Sequence, residues 1–197
     1  MPHAKGYTWD QMYLDEYAKG KSFVLGKKPD RFIIWASEYL KDKHQNGAVI
    51  LDAGCGEGRN SVYLAKQGFK MYGVDIASRA IEKAQRWIRS EGLTEIVNLR
   101  VGDVTRLPYE DDFFDAVIDS HTMEFILERE RYVREVARVL KSEGFFCILT
   151  ATPPSVHGLD SEFLKRTLDK ENFEILKIHN PSNTSLSVLA TRKTVRA

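Results

Sequence analysis

The chain has 197 residues, of which 43% are hydrophobic and 29% charged, and its formal net charge is +1. This length and composition are typical of a single globular domain and exclude a fibrous or wholly disordered protein. The near-neutral charge argues against a surface built as a whole for nucleic acid or an anionic membrane, although a local basic patch stays compatible with it.

The cysteines and the N-terminus indicate the compartment. Cys55 and Cys147 are far apart and form no CxxC pair, so neither a disulfide framework nor a metal site is expected. Residues 1–6 lack the apolar run of a secretory signal peptide. No stretch approaches the roughly 20 apolar residues that span a membrane. We therefore expect a soluble, cytoplasmic protein.

From residue 48 onward, short apolar runs alternate with helical patterns. Residues 48–51 and 70–74 predict two buried strands, with a helix over 60–67 that Gly68 ends. The pattern then predicts a helix capped by Ser78 and closed at Gly92, strands over 97–101 and 114–118, a helix with apolar positions from Val133 to Leu140, and a strand over 145–151. Strands alternating with helices predict a doubly wound, mostly parallel α/β sheet.

The two ends of the chain depart from this alternation. Residues 173–178 and 185–190 predict strands joined by the short polar segment 180–184, which indicates an antiparallel C-terminal hairpin and completes a seven-stranded sheet. Residues 1–45 are expected to form a helical N-terminal extension that packs on a core of residues 46–197. Together they would make one structural domain.

Three predicted strands deliver acidic residues to the same edge of the sheet. Asp52, Asp75 and Asp103 follow the first, second and third strands, and ligands of open α/β sheets bind beyond the carboxyl ends of the strands. The glycines after the first strand remove side chains, so a ligand can approach the backbone closely. These glycines are Gly54, Gly56 and Gly58.

A dinucleotide-dependent dehydrogenase is the obvious competitor for this pattern. Its fingerprint places a third glycine three residues after the second, where this chain has Arg59. Asp75 suits either cofactor, because both offer ribose hydroxyls at that point. Asp103 and the antiparallel tail favour a different class of cofactor-binding protein over a dehydrogenase.

The loop, the three acids and the hairpin resemble those of class I S-adenosylmethionine (SAM)-dependent methyltransferases, over roughly residues 48–192. The resemblance implies a Rossmann-like fold, SAM as the cofactor and S-adenosylhomocysteine as the product. In that family the glycine loop, here with Gly54 and Gly56, runs under the methionine part of the cofactor.

The resemblance also implies a role for each residue at the strand ends. Asp52 would help to place the aminopropyl group, and Asp75 would accept hydrogen bonds from both ribose hydroxyls. Ile76 would pack on the adenine. The remaining expected cofactor contacts are Asp103 with the adenine amino group, the Val104 N–H with a ring nitrogen, Arg59 at the helix start, and Ser120 or His121 near the methionine amine and methyl.

Two segments are similar to the tellurite-resistance and thiopurine branch of the family. One runs from Gly56 to Asn60, and the other is an opening segment that contains Trp9 and Tyr13. In that branch the opening segment lies across the cofactor pocket as a partial lid. By chemistry alone, these two aromatic residues could screen or attract the sulfonium through their π faces, or could simply be packing residues.

The acceptor is less well defined by the sequence. Methyl transfer from a sulfonium needs no metal, and His121 is a candidate general base, with Glu124 and His157 as weaker candidates. An acceptor that is already a thiolate would need no base. Because the segments around the expected site contain no dense basic cluster, we expect a small-molecule acceptor rather than nucleic acid. A protein or RNA methyltransferase and a non-catalytic SAM-binding protein remain as alternatives, and a nicotinamide-binding protein is a more distant one.

Overall fold

The computed structural model describes residues 8–44, 47–155, 157–182 and 184–194. Its centre is a seven-stranded sheet. The strands are β1 (Val49–Ala53), β2 (Lys70–Asp75), β3 (Val97–Val101), β4 (Phe114–Ser120), β5 (Leu140–Ala151), β6 (Phe173–Ser182) and β7 (Ser185–Arg192). The helices are α1 (Trp9–Ala18), α2 (Arg31–His44), α3 (Arg59–Lys66), α4 (Ser78–Ser90), α5 (Arg129–Val139) and α6 (Ser161–Lys170), with a 3-10 turn at Met123–Phe125.

The strand order confirms the predicted doubly wound sheet. It runs β3-β2-β1-β4-β5-β7-β6, and β7 is antiparallel to both β5 and β6. The order reverses direction between β1 and β4, which pair in parallel with Ala53 opposite Asp119. This reversal is the switch point at which ligands bind in open α/β folds.

Side chains that alternate along the strands build an apolar layer on each face. On one face, Leu51 and Phe146 pack with α5 and α6. On the other face, Ile50 and Cys147 pack with α2, α3 and α4. The short apolar runs read from the sequence are therefore strands buried on both sides, as parallel sheets require.

Several local expectations were wrong. Ala77, not Ser78, is the N-cap of α4, and the carboxylate of Asp10 takes over the capping, because it accepts from Arg79 N–H and Ser78 Oγ, each at 2.9 Å. Leu140 opens β5 instead of ending α5. Helix α6, preceded by the N-cap Asp160, lies between the strands predicted over 145–151 and 173–178, where no helix was predicted.

The first two helices lie on the same side of the sheet but are held there by different contacts. Helix α2 inserts Ile33, Ala36 and Leu40 into the layer that contains α3 and α4. Helix α1 packs on α4 through Tyr13 and Ala80. Residues 1–6, on which the expectation about a signal peptide rests, lie outside the described residues. Among the described helices, none has the length and apolar composition that a membrane crossing needs.

The burial of α2 predicts that this helix is part of the folding unit. Leu40 is fully buried, so Leu40→Ala should lower the free energy of unfolding by about 2–5 kcal/mol, as buried leucine truncations do. Urea unfolding followed by circular dichroism measures this value. Leu176→Ala, at a position 44% exposed on β6, is the control and should change it by roughly 0.5 kcal/mol or less. An equally small loss for Leu40→Ala would show α2 to be a loosely attached extension.

Candidate functional site

The glycine loop turns directly beneath the edge of the sheet. Gly54 N–H and Cys55 N–H both donate to Val74 O, at 2.8 and 3.2 Å, and so fix the loop to β2. Gly54 and Gly56 have φ values of 74° and 51°, which favour glycine. A Cβ at Gly54 would overlap the side chain of Thr122, whose Oγ1 donates to Ala53 O at 2.9 Å. The loop is thus wedged between β2 and the segment that follows β4.

Asp75 sits at the end of β2 and closes the loop from the other side. Its two carboxylate oxygens accept from Gly56 N–H at 2.7 Å and Ala77 N–H at 2.8 Å. Burial raises the pKa of Asp75, and these two backbone donors oppose that rise. Each carboxylate oxygen has a second lone pair, so the group can still accept hydrogen bonds from a ligand.

Two further acids are fully buried at the switch point. Asp52 accepts from Ser61 Oγ at 2.6 Å, and burial raises its pKa to about 7. Asp119 accepts from Thr122 N–H at 2.9 Å and from Tyr132 OH at 2.8 Å, and burial raises its pKa to about 6. The two carboxyl groups lie on adjacent strands and disfavour each other's ionisation. Asp119 was not among the residues expected at the site.

The ends of β2 and β3 expose an apolar ledge. Ile76 is 61% exposed and Val101 is 52% exposed, although Ile76 directly follows β2 and Val101 is the last residue of β3. Val101 is the register partner of Asp75, and Asp103 follows two residues later. Asp103 Oδ1 accepts from Thr105 N–H and Oγ1, both at 2.8 Å, while the side chain of Val104 is buried. An exposed apolar ledge between two carboxylates can hold a flat ring with polar edges.

Glu57, which lies in the glycine loop, attaches the N-terminal segment to that loop. This carboxylate is buried and accepts from Val24 N–H at 2.8 Å and from Tyr17 OH at 3.0 Å. Tyr13 is 4% exposed, and its hydroxyl would lie 2.9 Å from a Cβ at Gly56. Burial, together with the nearby carboxylates of Asp75 and Glu57, raises the pKa of Tyr13. Tyr13 therefore stays a neutral phenol at the mouth of the loop.

Arg59 begins α3 and points to the N-terminal segment. Its Nη2 donates to Asp30 Oδ2 at 2.7 Å, and Ser120 Oγ donates to the same oxygen. Asp30 N–H also bonds Asn60 Oδ1 at 3.2 Å. These contacts join the segment before α2 to the start of α3 and the end of β4.

His121 follows β4 in an unusual backbone conformation. Its φ is 64°, a value that few non-glycine residues adopt, and its N–H donates to Leu149 O at 2.7 Å. Its Nδ1 lies 3.3 Å from Glu124 Oε2, and 38% of its side chain is exposed. The hydrogen bond with Glu124 raises the pKa of His121, against an opposing effect of burial.

An aromatic group lines the same region. The rings of Trp9 and Phe125 meet edge to face with centroids 5.1 Å apart, and Phe125 and His157 lie 5.2 Å apart. Trp9 thus contacts the segment after β4, whereas Tyr13 contacts the glycine loop. Trp9 and Tyr13, which were predicted to act together, therefore contact different parts of the site.

The structure gathers the expected residues along one edge but divides them among several subsites. Asp75 and Asp103 flank the ledge that contains Ile76, and Gly54 and Gly56 form the loop. Asp52 is covered by Ser61, and Arg59 is engaged by Asp30. Sequence reasoning missed Glu57, Asp30 and Asp119, each of which has a side-chain partner 13–90 residues away that leaves no local pattern. Within the described residues, no group of three or more His, Cys, Asp or Glu could hold a metal ion.

The chain is similar to known methyltransferases. A family model described as a methyltransferase domain matches residues 51–148. Norajmaline N-methyltransferase of Rauvolfia serpentina is 37% identical over 158 residues, which cover 76% of this chain and 54% of that protein. The chain spans about half the length, or less, of the curated relatives that it matches.

Two solved structures are similar to the chain over almost its whole length. The cyclase SpnF superposes with a TM-score of 0.78 at 18% identity, covering 94% of this chain and 95% of that one. A Burkholderia thailandensis 1,6-didemethyltoxoflavin-N1-methyltransferase, solved with 1,6-didemethyltoxoflavin and S-adenosylhomocysteine, gives 0.73 at 20% identity, covering 98% and 91%. At these identities the two structures show the fold alone.

The Glu57 contacts predict how the N-terminal segment is held. Glu57→Ala leaves the N–H groups of Val24 and Leu25 without their acceptor. The attachment of the segment should then be less stable by about 1–3 kcal/mol. Amide hydrogen exchange over residues 9–25 should then accelerate by roughly tenfold or more. Glu16→Ala, which removes exposed ion pairs on the same segment, is the matched control. Equal exchange in the two variants would show that Glu57 does not fasten the segment.

The buried acids predict a pH dependence of stability. Because the folded-state pKa of Asp119 lies above its unfolded value, the folded protein binds the extra proton, and stability falls as pH rises from about 4 through 6. Between pH 4.5 and 7.5 the free energy of unfolding should therefore decrease by about 2 kcal/mol less in Asp119→Asn than in the wild type. Urea unfolding at both pH values measures this difference, with Asp169→Asn as the exposed control. Parallel pH profiles for Asp119→Asn and the wild type would refute the assignment.

Proposed function

We propose that this chain, of which residues 51–148 match a methyltransferase domain, transfers a methyl group from SAM to a small-molecule acceptor. The observation that carries this proposal is the edge formed by the glycine loop, Asp75 and the apolar ledge at the switch point of the sheet. When bound, SAM supplies an activated methyl group and its own leaving group. The reaction products are the methylated acceptor and S-adenosylhomocysteine.

The residues at the edge fit the parts of this cofactor. Asp75 has free lone pairs for the ribose hydroxyls, and Ile76 with Val101 offers an apolar surface to the adenine. Asp103 and the Val104 N–H would serve the polar edge of the ring. The loop at Gly54 and Gly56 would lie under the methionine part, near Ser120. Asp52 is buried beneath the loop, so its contribution is to position the loop or to act through water.

The protein's part in catalysis is to orient the reactants and to exclude water. Tyr13, fixed on the loop, and Trp9, fixed on Phe125, would shield the sulfonium from water. This arrangement supports the proposal that residues 1–45 form an extension, or lid, on the domain of residues 46–197. Arg59, engaged by Asp30, would hold that extension as much as the cofactor. Methyl transfer by direct displacement then depends mainly on alignment.

Two observations support a small-molecule acceptor. Among the described residues, the region beside His121 contains aromatic rings and carboxylates, and its two arginines are engaged within the protein, Arg59 by Asp30 and Arg129 by the carbonyls of Met123 and Glu124. The relative from Rauvolfia serpentina is named for methylation of norajmaline. The likeness to the tellurite-resistance and thiopurine branch stays a prediction that rests on the loop and the opening segment. Cytoplasmic location also stays a prediction. The free, buried thiols of Cys55 and Cys147 are compatible with it.

An acceptor screen with radiolabelled SAM tests the function. Amines, phenols, thiols, chalcogen oxyanions and small acids form the panel, with transfer RNA and peptides as macromolecular controls. Label in a small product, with stoichiometric S-adenosylhomocysteine, supports the proposal. Label only in RNA or peptide would establish the macromolecular alternative. Tight binding of SAM without turnover of any acceptor would instead indicate a SAM-binding protein, and the cyclase SpnF shows that the fold is not restricted to proteins described as methyltransferases.

The ribose assignment yields a binding prediction. Asp75→Asn removes a charged acceptor of hydrogen bonds and should weaken SAM binding by roughly 10- to 100-fold. Isothermal titration calorimetry measures the dissociation constant. Asp169→Asn on α6 provides the charge-matched control and should bind as the wild type does. Because Asp75 also bonds Gly56 N–H and Ala77 N–H, thermal unfolding of both variants checks that the fold is retained. Unchanged affinity in a folded Asp75→Asn protein would refute the assignment.

A further inference from the structure

His121 is held at two points immediately after β4. The backbone is fixed by the hydrogen bond from its N–H to Leu149 O, and the ring is fixed by the contact of Nδ1 with Glu124. A positive φ at a histidine costs conformational energy, which the surrounding contacts must supply. Within the described part of the chain, Nε2 makes no hydrogen bond. The imidazole therefore uses one nitrogen as an anchor and leaves the other available to a ligand.

Glu124 is a buried carboxylate with partners on two sides. It is 5% exposed and accepts from Thr150 Oγ1 at 2.8 Å and from Ala151 N–H, in addition to its contact with His121. Thr150 and Ala151 belong to β5, so the carboxylate is fixed by the sheet itself. A buried carboxylate that accepts from β5 on one side and faces an imidazole on the other orients that ring and stabilises its protonated form.

Two further carboxylates raise the pKa of His121, and the two arginines close to this region are already engaged. Arg129 donates to the carbonyls of Met123 and Glu124, and Arg59 pairs with Asp30. The two carboxylates are Asp30, in the segment before α2, and Asp119, at the end of β4. An anionic acceptor would meet this field unfavourably, whereas a cation would be attracted. The rings of Trp9, Phe125 and His157 complete the surroundings with surfaces that suit an apolar body and a cationic group.

We propose that Glu124 is a positioning residue that holds His121 as the proton acceptor for an amine substrate. The proposal rests on the methyltransferase function given above and names the class of its acceptor. An amine in its ammonium form matches the acidic surroundings, and it has to lose a proton before its nitrogen can act as a nucleophile. Neither requirement applies to a thiolate or to an oxyanion.

The proposed step balances in protons and electrons. Nε2 of neutral His121 takes one proton from the ammonium group, leaving a neutral amine and an imidazolium paired with Glu124. The nitrogen lone pair then forms a bond to the methyl carbon, and the carbon–sulfur bond breaks with its electron pair remaining on sulfur. The products are a methylated ammonium and a neutral thioether, and His121 releases its proton to solvent.

The charge state of the pair supports this role. Hydrogen bonding to Glu124 raises the pKa of His121. Burial would raise the pKa of Glu124, but the bonds from His121, Ala151 and Thr150 lower it overall. The neutral base is therefore present only above the raised pKa of His121, so the rate should increase with pH through that value. Glu124→Gln should move this limb to lower pH.

The test begins with the ring itself, without SAM or acceptor. Imidazole NMR titration of the free protein measures the pKa of His121, assigned by its loss in His121→Asn, because asparagine tolerates a positive φ. In Glu124→Gln the midpoint should fall by about one pH unit. Glu128→Gln, an exposed carboxylate paired with Arg131, is the matched control and should leave the midpoint unchanged. Thermal unfolding of each variant verifies that it is folded.

Turnover is then measured with ring-bearing probes that differ in their nucleophile. Benzylamine, N-methylbenzylamine and tetrahydroisoquinoline are the amines, and phenol, thiophenol and benzoate are the comparison acceptors. With an amine, His121→Asn should reduce kcat by about 10²- to 10³-fold, and SAM affinity should change by no more than about threefold. The acidic limb of the kcat profile should shift in Glu124→Gln by the same amount as the NMR midpoint.

Each result decides a separate claim. Turnover of amines with matching shifts in Glu124→Gln supports the proposal. Turnover confined to phenol, thiophenol or benzoate overturns the amine assignment but leaves the methyltransferase function standing. Amine turnover with an unshifted His121 midpoint in Glu124→Gln overturns the positioning role. Absence of turnover with these probes and with every acceptor of the wider screen overturns this proposal and the proposed function together.

Discussion

The parallel pairing of β1 with β4 is the constraint on which the rest of the site depends. It sets Ala53 opposite Asp119, so the glycine loop and the segment that begins at Ser120 leave the sheet side by side. The bond between Thr122 Oγ1 and Ala53 O then joins the two segments directly. Without this register, the loop that we propose for the cofactor and the histidine that we propose as the base would not share one edge. The two halves of the proposed transfer reaction are thus brought together by backbone pairing in the core.

The N-terminal segment is attached by carboxylates rather than by a large apolar surface alone. Asp10 caps α4, Glu57 accepts backbone N–H groups from residues 24 and 25, and Asp30 receives Arg59 and Ser120. Two of these acids lie on the segment and the third lies on the glycine loop. Tyr13 and Trp9 are held between these attachments. This interlocking explains why the segment reaches both the cofactor side and the acceptor side of the edge.

Local sequence patterns were sufficient for the sheet and for its acidic edge. Strands such as Val49–Ala53 are short apolar runs that end in acids, and their type and order follow from periodicity and from glycine positions. Helix α6 escaped notice because its Asp160 cap follows a proline- and glycine-containing stretch that reads as a loop. The partners of Glu57 and Asp30 depend on tertiary contacts across 30 to 90 residues, which no local pattern encodes. The same holds for Glu124, whose burial results from its contact with β5.

The contact between Thr122 and Gly54 also limits how such a protein can diversify. The segment after β4 is where a new acceptor specificity would be introduced by exchange between relatives. However, its second residue past the strand fills the space that the missing side chain of Gly54 leaves open. A transplanted segment that carried a bulkier residue at this point would displace the loop under the cofactor. Acceptor and cofactor recognition are therefore not independent modules here, and residue 122 has to be inherited together with the glycine loop.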